Sequence, residues 1–313
     1  PSFSHPPAAN PDPLWSRGLG DVYKRQGLFT YANAAEITPY GSFNYKWSND
    51  ENSSGVSVNK LEDNGSKIGI DIDDIGVEGQ TIIGFAKLEV GVDTDDSGSN
   101  TFDSRLAYVG LSGEAGDLSV GRQSHPFTDK ISGHTDVFNV YGSNADFNYA
   151  SRSSNTIAFS TDSNGISFSA LGLVNGTTGA NDQDGLDEYE WAASAKILGN
   201  DISIGYADDI NSDISYWGAG ATRTLGPLTI GSSYTIKDAA TDLTGYDLTA
   251  TTTLSLGNVT VGYGDKEGTG TYQTYGINKD LGSSLKVYAE MQDAKLDTNV
   301  DTRSWSIGTK FSF

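Results

Sequence analysis

The sequence predicts an all-β fold, a transmembrane antiparallel β-barrel of about sixteen strands. Apolar and polar residues alternate through segments of roughly ten residues. The connections between these segments are short and long in turn, as expected for tight turns at one rim and longer loops at the other. No run of about 18 apolar residues exists to form a membrane-spanning helix. A closed barrel pairs its backbone amides between strands and leaves no free edge in the bilayer.

The alternation is clearest in the segment SKIGIDID, where Ile68, Ile70 and Ile72 share one face and Lys67 lies on the other. It recurs in the final segment SWSIGTKFSF, where Ile307 and its apolar neighbours alternate with serine, glycine and lysine. A sustained apolar stripe of helical period is not seen, so no helix is predicted. The segments start near residues 36, 65, 80, 102, 116, 152, 165, 188, 201, 213, 226, 242, 257, 270, 283 and 301.

A soluble β-sandwich and a solenoid are the alternative all-β folds. In a sandwich, one face of each strand must fill the core, whereas the polar face here carries small and charged residues. Such residues pack a core poorly but suit the lining of a water-filled lumen. No repeat with a fixed period of about 20–50 residues is found, which disfavours a solenoid. Both observations favour the membrane barrel.

The composition excludes several function classes. The 313-residue chain has a formal net charge of -21, which repels nucleic acid, and it has no cysteine for a disulfide or a thiolate metal site. Asp93, Asp95, Ser97 and Gly98 resemble the start of a calcium-binding EF-hand loop, but Ser104 stands where that loop needs glutamate. An acidic surface loop is therefore expected, with no metal site and no cofactor.

An enzyme is also not expected. Beyond residue 34 the only histidines are His125 and His134, both in one long polar segment. The sequence contains neither a G-x-S-x-G nucleophile motif nor a phosphate-binding G-x-x-x-x-G-K-[ST] loop.

The N-terminal residues divide into two short segments before the barrel. Residues 1–26 hold five of the eight prolines, have no periodic pattern and are expected to be adaptor- or vector-derived. Residues 27–34 end in Ala-Asn-Ala, which is typical of a signal-peptidase site, and are expected to be the remnant of a cleaved export signal. The barrel domain is predicted over 35–313, where 17 Lys and Arg stand against 39 Asp and Glu, giving a net charge of -22.

Three stretches resemble the general bacterial porin family of the Gram-negative outer membrane. They are DSRLAYVGLSGEAGDLSVGRQ (103–123), AEITPYGSFNYKW (35–47) and the terminal GTKFSF. The resemblance implies a homotrimer of sixteen-stranded barrels, each with a long third loop folded into the lumen. It also implies contact with outer-membrane lipid and lipopolysaccharide. Phe313 matches the terminal phenylalanine that the outer-membrane assembly machinery reads in this family.

The resemblance further implies a charged constriction, or eyelet. The third loop corresponds to 124–150, and its TDVFNVY segment keeps an eyelet acid at Asp136 but lacks the family's second carboxylate, which Asp146 could replace. The facing wall of the family carries a ladder of basic residues. Its positions match Lys67, Arg105 and Arg152, whereas a basic residue on the first strand is replaced by Ser42.

The predicted function is passive diffusion of ions and small hydrophilic solutes. Three bases against one or two acids would favour anions, but the charge of -22 favours cations at the mouths, so weak cation selectivity is expected. The alternatives are a substrate-selective channel for a sugar or another small solute and a non-conducting structural or adhesion barrel. A phosphate channel would need a strong basic ring, which the acidic composition disfavours.

Overall fold

The computed structural model of the protein describes residues 35–52, 54–76, 81–95, 101–142, 144–175 and 185–313. All of them belong to one compact unit, Ala34–Phe313. The predictions for 1–26 and 27–34, and for Ser97 and Gly98 of the acidic loop, lie outside the described residues.

The strands of the described residues form one closed antiparallel sheet. Consecutive strands pair, except that the second and third both pair with the first, and the last strand also pairs with the first. The strands are β1 (Glu36–Glu51), β2 (Ser57–Asp63), β3 (Lys67–Gly76), β4 (Ile83–Val92), β5 (Phe102–Gly113), β6 (Gly116–Ser124), β7 (Arg152–Ser163), β8 (Ile166–Leu173), β9 (Glu188–Ile197), β10 (Asn200–Asp209), β11 (Ile214–Leu225), β12 (Leu228–Asp238), β13 (Leu243–Leu254), β14 (Gly257–Lys266), β15 (Gly270–Asp280), β16 (Leu285–Leu296) and β17 (Asp301–Ser312).

The barrel has sixteen strand positions, because β2 and β3 together occupy one of them and both pair with β1. The chain bends between them at Gly65, which has a φ of 81° in the left-handed region that favours glycine. The Asp63 carboxylate accepts hydrogen bonds from the Gly65 and Ser66 amides at 2.8 and 2.9 Å and fixes the bend. The predicted sixteen-stranded antiparallel barrel is confirmed.

Two local predictions were wrong. Ser57–Asp63 lies between the ten-residue segments predicted to start near 36 and 65, yet it forms β2, because β1 is 16 residues long and its far half needs a partner. No helix was predicted, yet Pro126–Ile131 forms the helix α1. Six residues are too few for a helical stripe to be recognised, although Phe127 and Ile131 are spaced by one turn and both are buried. In the described part of the chain, no helix has the length and hydropathy needed to span a bilayer.

The outer surface of the barrel is apolar and its inner surface polar. Ile68 and Ile70 on β3 are exposed at 38% and 39%, and Ile307 on β17 at 54%, whereas the adjacent Ser306 is exposed at only 1%. This agrees with the faces predicted from the alternation. At the seam of the barrel, the Phe313 amide donates to the Gly41 carbonyl at 3.1 Å, and the Gly41 amide donates back at 3.0 Å.

Candidate functional site

A 27-residue segment, 125–151, joins β6 to β7, and its described residues lie against the inside of the barrel; we call it the constriction loop. Its first part is α1, which packs Phe127 and Ile131 against Ala207 of β10 and Tyr216 of β11. These apolar contacts hold the start of the loop against the inner wall, since α1 contacts β8, β9, β10 and β11.

The middle of the constriction loop is held by polar contacts with the next strands. The His134 ring contacts Ser203 Oγ of β10 at 2.8 Å through Nε2 and Thr222 Oγ1 of β11 at 2.7 Å through Nδ1. Thr135 Oγ1 lies 3.0 Å from Ser233 Oγ of β12. The hydroxyl groups that contact the loop come from β10, β11 and β12, so the loop passes these strands in sequence order.

Two wall carboxylates bind the far part of the loop. Glu290 of β16 accepts hydrogen bonds from the backbone amides of Asn139 at 2.6 Å, Val140 at 2.9 Å and Tyr141 at 3.3 Å. Asp247 of β13 accepts one from the Ala145 amide at 3.0 Å. The loop therefore lies along the inner wall from β8 to β16, with backbone groups anchored on buried acids. It also reaches β1, where the Tyr141 hydroxyl donates to Asp50 at 3.0 Å.

The opposite wall carries a cluster of bases around one acid. Glu89 of β4 is buried and pairs with Lys67 Nζ of β3 at 2.8 Å and with Arg105 Nε of β5 at 2.6 Å. The Tyr40 hydroxyl of β1 also donates to Glu89 at 3.0 Å. Lys67 and Arg105 stay about a quarter exposed, so both face water while sharing one buried carboxylate.

Two more bases extend this cluster; with Lys67 and Arg105 they form what we call the basic wall. Arg152, at the start of β7, interacts electrostatically with Arg105 and Glu89. Lys310 of β17 interacts with Lys67, Arg105 and Glu89. The basic wall therefore uses β3, β5, β7 and β17, none of which lies within the β8-to-β16 part of the wall along which the loop runs.

Three aspartates of the constriction loop occupy different positions. The Asp136 side chain is exposed to the lumen, and Asp129 is exposed on the face of α1 opposite Phe127 and Ile131. Asp146 is buried, and its Oδ1 accepts a hydrogen bond from Ser233 Oγ at 2.7 Å.

The surroundings raise the pKa of the two exposed aspartates. For Asp136 the main cause is removal from bulk water by the loop and the barrel, followed by the negative charges of Asp146 and Glu290. For Asp129 the same desolvation and the nearby Glu190 raise the pKa to about 6, against the opposing effect of Arg152 and His125. Asp129 thus interacts with a base of the facing wall, whereas the neighbours of Asp136 are acidic.

The model of a Gram-negative porin family matches residues 28–312. The chain belongs to this porin family. The family resemblance noted from the sequence is confirmed, and the protein is a channel of the outer membrane. No curated protein sequence matches the chain.

Solved porin structures have the same fold. An anion-selective porin from Comamonas acidovorans has a TM-score of 0.76 at 16% identity, over 90% of this chain and 100% of its own. OmpF of Salmonella typhi, in complex with daunomycin, has a TM-score of 0.70 at 15% identity, over 91% and 99%. OmpT of Vibrio cholerae, in a trimer form, has a TM-score of 0.68 at 16% identity, over 90% and 100%. At these identities the likeness concerns the fold.

Within this porin barrel, the structure brings Lys67, Arg105 and Arg152 together on one wall. Asp136 lies on the inward loop. Asp146 contacts β12 through a buried hydrogen bond, so its contacts are those of a loop anchor. A part for either aspartate in ion selection stays a prediction.

Sequence reasoning missed Glu89, Asp129 and Lys310. Alternation with Ser306 and Gly308 places Lys310 on the polar face of β17. Lys310 lies in register with Asn44, two residues along β1 from Ser42.

Proposed function

We propose that the protein is a passive diffusion channel for ions and small hydrophilic solutes, with a weak preference for cations. The observation that supports this most directly is the position of the constriction loop, which lines β8 to β16 and leaves the basic wall facing it. Exposed acids on one side and exposed bases on the other produce a transverse field across the channel. Such a field orders water and disfavours apolar solutes that would displace it.

The preference for cations rests on the acidic mouths, because at the constriction the four bases outnumber Glu89, Asp129 and Asp136 by one charge. Glu89 offsets one of the charges of Lys67 and Arg105, because it pairs with both. Asp129 and Asp136 are exposed on the loop and attract cations. The charge of -22 over 35–313 adds acidic mouths that concentrate cations at low ionic strength. The proposal assigns Lys67, Arg105, Arg152 and Lys310 to the anion path and the two exposed aspartates to the cation path.

We further propose a homotrimer in contact with outer-membrane lipid and lipopolysaccharide, exported through a cleaved signal ending at residue 34. Recognition of Phe313 by the assembly machinery stays a prediction. Intact mass and N-terminal sequencing of protein extracted from outer membranes test the boundaries. A mature start at Ala35 supports the assignment of 27–34 as the end of a cleaved signal, whereas retention of these residues overturns it.

Planar-bilayer recordings under a salt gradient test the constriction. Asp136→Asn should move the reversal potential toward anions, and Arg105→Ser should move it toward cations and raise the conductance. If neither change moves the reversal potential, these residues do not form the constriction. Absence of ion conductance in the wild-type protein would favour the structural or adhesion barrel, and saturable block by one sugar would favour a substrate-selective channel.

A further inference from the structure

A buried group of three ligand-type side chains lies where the constriction loop begins. His125 directly follows β6, and Glu188 and Glu190 occupy alternate positions of β9, so both glutamates point to the same side of the sheet. His125 Nδ1 lies 3.3 Å from Glu188 Oε1 and 3.2 Å from Glu190 Oε2. The three side chains are 0%, 0% and 1% exposed.

The described protein groups supply too few hydrogen-bond partners for the polar atoms of this cluster. One imidazole nitrogen carries at most one proton, so Nδ1 can make a full hydrogen bond to only one of the two glutamates. Among the described residues, no aligned hydrogen bond reaches either ring nitrogen of His125 or either carboxylate oxygen of Glu188. Buried polar atoms nearly always have a partner, so four such atoms in one cluster call for another ligand.

Glu190 is already oriented toward the common centre. Its Oε1 accepts a hydrogen bond from the Phe127 amide at 3.3 Å, which leaves Oε2 directed at His125. Hydrogen bonds of this kind orient the carboxylate ligands of metal ions in proteins. The ligand atoms of all three residues lie within 4.8 Å of one another.

We propose that His125, Glu188 and Glu190 bind a divalent transition-metal ion of the zinc type. Zinc–nitrogen and zinc–oxygen bonds are about 2.0–2.2 Å, so tetrahedral ligand atoms stand roughly 3.3–3.5 Å apart. The two nitrogen–oxygen distances of 3.3 and 3.2 Å fit this spacing. One imidazole with two carboxylates suits zinc, whereas calcium takes about 6–8 oxygen ligands.

Such an ion would join the constriction loop to the barrel wall at its first residue. It would fix α1 on β9 and with it the exposed Asp129, four residues further along the chain. The competing occupant is a proton on His125: burial lowers the pKa of this imidazole, but Glu188 and Glu190 outweigh burial and raise it to about 9. A metal ion and a protonated His125 would both link the same two carboxylates. Direct measurement of metal binding distinguishes them.

The test uses the purified full-length protein in detergent after treatment with a chelator. Zn²⁺ titration by calorimetry, with metal content measured on the dialysed protein, should give one ion per chain. Glu188→Gln and His125→Gln should each weaken binding by more than about 100-fold, beyond the effect typical of outer-shell changes. Glu290→Gln is the matched control, because Glu290 is also a buried glutamate that anchors the loop, and it should keep the bound ion.

A second measurement uses wild-type protein alone, so it stays valid if a variant fails to fold. Co²⁺ in place of Zn²⁺ should give intense visible absorption bands typical of tetrahedral coordination, and a chelator should remove them. The proposal is overturned if wild-type protein shows no saturable Zn²⁺ binding, which leaves a proton-bridged cluster only. It is equally overturned if Glu188→Gln binds Zn²⁺ as tightly as the wild type.

Discussion

Replacing Glu89 by glutamine should shift the channel toward anions. The substitution removes the one carboxylate that pairs with both Lys67 and Arg105, at 2.8 and 2.6 Å, and so adds one positive charge to the basic wall. Glutamine has nearly the same shape and can still accept the hydrogen bond of the Tyr40 hydroxyl. The two bases remain 29% and 23% exposed and can be hydrated, so we expect the barrel to stay folded.

The size of the shift follows from the charge. An ion passing beyond the two bases, at about 8 Å, gains or loses roughly 0.5 kcal/mol from one unit charge in water. Screening leaves about 0.2 kcal/mol at physiological salt and about 0.4 kcal/mol at ~0.01 M. Cations and anions respond with opposite signs, so the anion-to-cation permeability ratio should rise roughly two-fold and four-fold, respectively.

Reversal potentials across a planar bilayer measure this ratio. Glu114→Gln is the matched control, because it removes the same charge from an exposed turn between β5 and β6, away from the basic wall. Its effect should be small at physiological salt, where the Debye length is about 8 Å. Equal shifts in the two variants, or no shift in Glu89→Gln, would refute the assignment of Glu89 and its two bases to the constriction.

Two further predictions concern the lipid face and pH. Ile307→Arg should reduce the yield of folded barrel, since a charge facing lipid costs roughly 2–4 kcal/mol at mid-bilayer. Ser304→Arg, at a half-buried position of the inner face on the same strand, should be tolerated better. Equal yields on heat-modifiability gels would contradict the assigned faces. Because the pKa of Asp129 is raised to about 6, its carboxylate takes up a proton as pH falls from 7 to 5, so cation preference should decline over that range. Asp129→Asn should reduce this step, because Asp136, whose pKa is also raised, still titrates. A step of unchanged size would assign the titration to another group.

The barrel could be predicted from sequence because each strand contains its own signal. Alternation is local, and the predicted starts fall within about three residues of the observed strands. The exception is β2, where Val58 and Leu61 break the alternation and only the excess length of β1 explains the pairing. Partners separated by long stretches of sequence give no such local signal.

The charges of the constriction were predicted only in part for the same reason. Lys67 and Arg105 match family positions, but Glu89 becomes their partner only because β3, β4 and β5 are adjacent in the sheet. Lys310 joins them because the last strand closes on the first, which brings together residues from opposite ends of the chain. Asp129 was missed because its exposure depends on a helix too short to recognise.

Strand glycines explain how the constriction loop can lie so close to the wall. A Cβ atom added at Gly231 of β12 would overlap the His134 carbonyl, and one at Gly245 of β13 would overlap the Ala145 carbonyl. At these positions any larger side chain would push the loop into the channel or away from its anchors on Glu290 and Asp247. In the sequence, these glycines look the same as those in turns, so their role becomes visible only once the loop is in place. The width of the channel is therefore set partly by glycines of the barrel wall, because their lack of a side chain lets the loop lie against the wall.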